Sequence, residues 1–310
     1  MSSADPRAVA GSAPLSSHRT AMILLGAVIV VWGANWPIMK IALDSIAPLT
    51  FAAARLILGA LTMIVVLGWR REFRLPTRAD VPVVLSVGLL QLAGFLIFVN
   101  LGLLTVEAGR SAILSYTTMI WVTPAAVWLL GERMSRGKTF GVLCGIVGVA
   151  AMFNPLSFDW SDDAAVIGNA FLLGGALCWA IGILHVRGHR WRQSALVLSP
   201  WQMLVGLVPT AALALWFEHD QPIQWSGALV AVLAYNGPIA TAFALWAWLS
   251  VNRSLPAIAS SMGSLGVPAA GVVLSVLLLD EPVTFANLAG LGLITLGLVL
   301  VARETAREQA

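Results

Sequence analysis

Residues 108–133, AGRSAILSYTTMIWVTPAAVWLLGER, return in outline at 257–282, AIASSMGSLGVPAAGVVLSVLLLDEP. One register of 149 residues pairs Ala108 with Ala257, Ser111 with Ser260, Leu129-Leu130 with Leu278-Leu279 and Glu132 with Glu281. The same register carries on to pair Gly141 with Gly290 and Gly148 with Gly297. Upstream the spacing is 147, where Trp32 meets Trp179 and Gly59 meets Gly206. Any single match is cheap in so biased a composition, but several in one register mark an internal repeat.

Both copies are long apolar runs, and so is most of the chain. Of 310 residues, 59% are hydrophobic and 11% charged, against about 25% charged in a soluble domain. That is too little charge to cover a water-facing surface, so lipid is the expected solvent. Only helices or closed barrels satisfy their backbone in lipid. These runs are continuously apolar rather than alternating, which selects helices of about 20 residues each. Ten spans are predicted, at 21–42, 48–69, 81–105, 109–131, 138–154, 164–186, 195–217, 226–250, 256–279 and 284–303.

Charge fixes the side. With the N-terminus inside, inner segments hold 15 of the 18 Lys and Arg residues and outer connectors only Lys40 and Arg110; Arg55 lies within a span. Cytoplasmic loops carry the excess of Lys and Arg, and a missed helix would move every later loop to the wrong side. Both ends are therefore expected in the cytoplasm. Five spans per copy is an odd number, so the second copy must cross in the opposite sense. Inverted repeats let one central site face either side through nearly equivalent conformations. The predicted fold is an all-α integral membrane protein, ten transmembrane helices as two inverted five-helix repeats around a central cavity. The repeats are placed at 21–155 and 164–303, with tails at 1–20 and 304–310.

Several function classes drop out. The net charge of +3 is spread over short loops, without a basic patch or motif for nucleic acid. Cys144 and Cys178 lie in apolar runs and define no disulfide framework. Residues Met1–Thr20 hold no apolar stretch for a cleaved signal, which leaves targeting to the first span. The run from Gly131 to Thr139 imitates a phosphate-binding loop but has five residues between its glycines instead of four. His18, His185, His189 and His219 sit in tails or near span ends, outside any paired-carboxylate or Ser-His constellation. No catalytic residue, metal or cofactor is predicted. The expected partners are a small-molecule substrate and the bilayer.

The chain resembles the drug/metabolite transporter superfamily, in particular its EamA-type ten-helix exporters. The likeness rests on Val31-Trp32-Gly33-Ala34-Asn35-Trp36, Arg55, the run from Ala108 to Ala112, and Ser115 to Thr118. The two endings at 129–133 and 277–282 complete it. The resemblance implies export of amino acids or related metabolites from the bacterial cytoplasm, across the inner membrane. A broad drug or nucleotide-sugar-like substrate is the alternative. One departure stands out: Pro268 lies thirteen residues before Glu281, but Met119 holds the matching place in the first copy. Pro124 follows five residues later, so a kink in that copy would be displaced toward it.

The candidate substrate-binding residues are the polar and aromatic groups at membrane depth. Trp32 and Trp36 share a helix face, with Asn35 beside them and Trp179 as the repeat partner of Trp32. Either they wall a cavity or they anchor the helix at an interface. Arg55 is about 10 Å into its helix at 1.5 Å per residue, where a cation faces protein or water or snorkels outward. It could take a substrate carboxylate. Ser115 and Tyr116, and in the second copy Ser260 and Ser261, offer hydroxyls that equally serve their own backbone. Gln91, Tyr235 and Asn236 complete the set. The glycines of 141–148 and 290–297 read as packing surfaces instead. Every Asp and Glu falls in a tail, a connector or near a span end, so transport is expected without a buried acidic proton carrier.

Overall fold

The computed structural model describes residues 18–106, 108–115, 117–153, 161–279 and 285–309, and among them every regular element is helical. In chain order the helices are α1 (His18–Leu43), α2 (Pro48–Trp69), α3 (Val81–Thr105), and α4 in two pieces (Ala108–Ser115 and Thr118–Leu130). Then come α5 (Arg136–Phe153), α6 (Asp163–Gly188), α7 (Ala195–Phe217) and α8 (Gly227–Ser254). Last are α9, again in two pieces (Ala257–Ser264 and Gly266–Leu279), and α10 (Phe285–Gln309). Eight of these, all but α5 and α9, are long and apolar enough to cross a membrane. The outside of the bundle is apolar too: Trp69 is 87% and Trp128 84% exposed. In water such a surface would be a liability, whereas in lipid it is the ordinary exterior.

The repeat becomes a two-fold packing pattern. Helices α5 and α10 pack along each other, as do α2 and α7. A Cβ on Gly141 would lie 2.9 Å from the Gly297 carbonyl, and one on Gly148 2.8 Å from the Gly290 carbonyl. Early in one helix meets late in the other, so these repeat-related helices run antiparallel and the two halves are inverted. The contacts α2–α8 and α7–α3 also mirror one another. In the first Gly237 closes on Leu58, and in the second Gly88 closes on Gln202 and Val205. The glycines that the sequence register relates meet crosswise, Gly141 on Gly297 and Gly148 on Gly290, because each lets two backbones approach where a side chain would hold them apart.

Three features go beyond the sequence reading. Both α3 and α8 widen to π-helix in mid-course, at Val87–Gly94 and Asn236–Phe243, again 149 residues apart. Such stretches perturb the i→i−4 ladder and cluster at functional sites. The break in α9 falls at Leu265, where Pro268 disturbs the carbonyl four residues back. The break in α4 falls between Ser115 and Thr118, in the matching place, and not at Pro124, which stays inside the second piece of α4. There Thr117 Oγ1 donates to the Leu114 carbonyl at 2.8 Å, so a hydroxyl supports in one half the break that proline enforces in the other. Finally, α10 continues as helix through 304–309, where a tail was expected. Glu304 accepts from Ser135 and Glu308 pairs with Lys138, which fastens that last turn to the α4–α5 connector.

Candidate functional site

On α1, Trp32, Asn35, Trp36 and Met39 recur every three to four residues and form one inward face. Facing them are Arg55 of α2, Gln91 and Phe95 of α3, Trp179 of α6, and Thr241 of α8. Together with Leu92, Leu96, Val99, Ala240 and Leu245 they line one narrow cleft. Among the described residues none of α5 or α10 lines it, and these two helices pack on each other outside the cavity lining.

One wall is aromatic. Trp32 meets Trp179 edge-on with centroids 5.3 Å apart, Trp248 lies 5.8 Å from Trp32 and 5.9 Å from Trp179, and Phe95 is 4.7 Å from Trp179. Each ring pair adds about 0.5–1.5 kcal/mol beyond area burial. Trp32 Nε1 donates to the Ala240 carbonyl at 2.9 Å, within the π-helical stretch of α8, so the wall is fixed in both halves.

The polar groups are few and converge. Arg55 is 4% exposed. Its Nε donates to Thr241 Oγ1 at 3.0 Å, an Nη lies 3.3 Å from Met39 Sδ, and the Phe51 ring is 6.0 Å away. Gln91 Nε2 reaches the Trp179 carbonyl at 3.5 Å, while its Oε1 has no protein partner. Asn35 Oδ1 and Trp179 Nε1 are likewise buried without one. Buried polar groups are normally satisfied, so three such atoms around one cleft are what a site for a polar ligand requires. Among the described residues the lining holds a cation and no carboxylate, and no group of three His, Cys, Asp or Glu could hold a metal.

Of the sequence candidates, Trp32, Asn35, Trp36, Arg55, Gln91 and Trp179 are thus brought together. The others lie elsewhere. Tyr235 donates its hydroxyl to the Val31 carbonyl at 2.6 Å, tying α8 to α1 behind the tryptophans. Asn236 donates to its own helix at Val232, and Ser261 to Ile258. Ser115 and Ser260 are buried outside the lining, their hydroxyls without a protein partner. Tyr116 lies outside the described residues. Sequence reasoning missed Thr241, although position 240 is the repeat partner of Gln91 and Gly237-Pro238 just before it signals an altered helix. The apolar lining carries no signal in a chain this apolar.

The two ends of the bundle are tied differently. At the end carrying both termini, Asp80 is fully buried. It accepts from Thr77 Oγ1 and the Arg192 N–H and lies 3.3 Å from His189, joining the α2–α3 and α6–α7 connectors. Gln193 bonds Thr77 and Leu75, Arg187 bonds the Arg253 carbonyl, and Glu132 bonds the start of α9. At the far end Glu218 accepts from the N–H groups of Leu49 and Thr50, and Gln224 donates to the Ser45 carbonyl.

Apolar helices duplicated and inverted around a buried aromatic and cationic cleft are the build of a membrane transporter. The comparisons give the family: a model of the EamA-like transporter family matches residues 19–154 and again 166–303, and the chain belongs to that family. It is similar to the uncharacterized transporter YoaV of Bacillus subtilis, 27% identical over 90% of this chain and 96% of that one. YvbV of the same organism, also an uncharacterized transporter, is 29% identical over 96% and 95%. A probable amino-acid metabolite efflux pump of Escherichia coli is 24% identical over 88% and 91%. A solved crystal structure superposes with a TM-score of 0.75 over 95% of this chain and all of that one, at 19% identity. That likeness speaks to the fold.

Proposed function

We propose that the protein exports amino acids or closely related metabolites from the bacterial cytoplasm, by alternating access through the α1–α2–α3–α6–α8 cleft. The observation that carries the reading is the convergence on one cleft of the buried Arg55 guanidinium and two amide oxygens lacking protein partners, Asn35 Oδ1 and Gln91 Oε1. A zwitterion complements that set. Its carboxylate meets the guanidinium, its ammonium meets Asn35 Oδ1 and Gln91 Oε1, and its side chain packs on Trp32, Trp36 and Trp179. The efflux-pump relative supports the substrate class. The excess of Lys and Arg in alternate connectors supports cytoplasmic termini in the inner membrane.

Among the described residues the cleft lining holds no carboxylate, which supports a carrier that runs down the substrate gradient or exchanges substrates, without a proton relay in the site. The test is a competition panel of radiolabelled amino acids in proteoliposomes. Saturable one-for-one exchange is expected, with Trp36→Ala raising the half-saturation concentration about tenfold, as for a lost aromatic contact of about 1.5 kcal/mol. A wild-type protein that exchanges no amino acid would refute the substrate class. Uphill export driven by a proton gradient in a Glu107→Gln protein would refute transport without a proton relay.

A further inference from the structure

Most helices of the second half cap themselves. Asp162 accepts from the N–H groups of Ala164 and Ala165 at the start of α6, Ser194 from Val197 at α7, and Ser226 from Leu229 at α8. Helix α9 does not. Its preceding residue, Pro256, supplies no side-chain cap, and the first N–H groups of a helix need an acceptor. Both carboxylate oxygens of Glu132, from the other half, supply it: Oε1 accepts from Ala257 N–H and Oε2 from Ile258 N–H at 3.1 Å. A carboxylate is also the favoured charge at a helix N-terminus.

Glu132 is aimed there by its own backbone. Gly131 sits at φ +66°, in the left-handed region, and the Glu132 N–H returns to the Ala126 carbonyl. This is a helix-ending turn that glycine permits without strain. The connector is further held by Lys138, 1% exposed, whose ammonium reaches the Arg133 carbonyl and Glu308. Glu132 is nevertheless reached from outside, for it lines an open cleft with Arg133, Arg187 and Pro256.

Helix α2 offers the contrast. It too borrows its cap from the other half, from Glu218 at the far end. Glu218, however, is 7% exposed and sits where α2 and α7 pack along each other. One borrowed cap is embedded in a packed seam, and the other stands on an open cleft at the end of the bundle that carries both termini.

We propose that the Glu132 carboxylate on the N-terminus of α9 is the releasable latch that closes the termini-side mouth of the transport path, whereas Glu218 is a fixed structural cap. The latch makes and breaks only hydrogen bonds that water can replace, so opening needs no unpaired buried charge. It rests on the alternating-access reading above, but not on which substrate is carried.

The test is sided thiol labelling with a membrane-impermeant maleimide in a Cys144→Ser, Cys178→Ser background. Ser260→Cys, one turn into α9 and fully buried, reports the termini side; Val99→Cys, in the cleft lining, reports the far side. Glu132→Gln is expected to raise Ser260→Cys labelling from the termini side at least fivefold and to lower Val99→Cys labelling from the far side. Glu218→Gln is expected to lower thermal stability without such a reciprocal shift.

Should Glu132→Gln not accumulate, Ala257→Pro removes one of the two N–H donors at a first-turn position that tolerates proline. Pro256, at ψ 149°, already has the extended backbone that precedes proline. The same reciprocal shift is expected. Neither reporter moving, both rising together, or Glu218→Gln giving the reciprocal shift would overturn the latch. A reciprocal shift in a protein that exchanges no amino acid would uphold the latch and remove only the substrate reading.

Discussion

The two halves of the cleft share a backbone and differ in chemistry. Trp32 and its repeat partner Trp179 meet face to edge, so at that position the repeat serves one function twice. At the same spacing Arg55 of α2 corresponds to Gln202 of α7. Arg55 lines the cleft, held by Thr241. Gln202 is fully buried outside it, and neither polar atom of its side chain has a protein partner. Asn35 corresponds to Gly182, whose missing side chain leaves room for Gln91. Duplication therefore preserved the packing, while Asn35, Arg55 and Gln91 of the cleft all lie in the first half and only Thr241 and the Trp179 indole N–H add polar groups from the second.

Making the halves alike at Arg55 is the harshest way to break this contrast. Arg55→Gln should lower exchange of carboxylate-bearing substrates by about 10–150-fold, the value of a hydrogen bond to a charged group, in a protein that still folds. The shared packing can be attacked instead. Gly148→Leu pushes a side chain into the Gly290 carbonyl and Ile294. It should destabilise by about 1–3 kcal/mol, as overpacking does, read as earlier thermal unfolding in detergent. Gly297→Leu, its repeat partner, which would press on the Gly141 carbonyl, should cost a similar amount.

A gentler change is Gly182→Ala, whose Cβ would overlap Gln91 Cγ and Cδ. It should turn the Gln91 amide out of its place and raise the half-saturation concentration a few-fold, about 1 kcal/mol for one neutral hydrogen bond. The smallest effect is expected from Gln202→Leu. Removing a buried amide without partners should leave exchange unchanged and stability equal or higher, measured in the same two assays.

How much was legible follows the same division. Apolar bulk foretold helices, the odd number of spans per copy foretold inversion, and the glycines of 141–148 and 290–297 were legible as packing surfaces, because membrane packing selects small residues at fixed places. Trp32, Asn35, Trp36, Arg55, Gln91 and Trp179 were visible as polar or aromatic exceptions in an apolar chain. Met39, Phe95 and Leu245 look like any lipid-facing residue, so only the fold can place them in the lining. The hydroxyls of Ser115 and Ser260 looked equivalent to those groups, yet periodicity does not say which helix face the breaks in α4 and α9 turn inward. Proline was also an incomplete guide, since α4 breaks where Thr117 can bond its own helix. The borrowed cap of α9 was hidden because it joins residues 125 positions apart.

The claim that Arg55 reads a carboxylate in this cleft can be tested by comparing free amino acids with their carboxamides as competitors of exchange. Wild type should favour the free acid by at least tenfold, and Arg55→Gln should abolish that preference while retaining residual exchange. An equal preference for the free acid in both proteins would contradict the account.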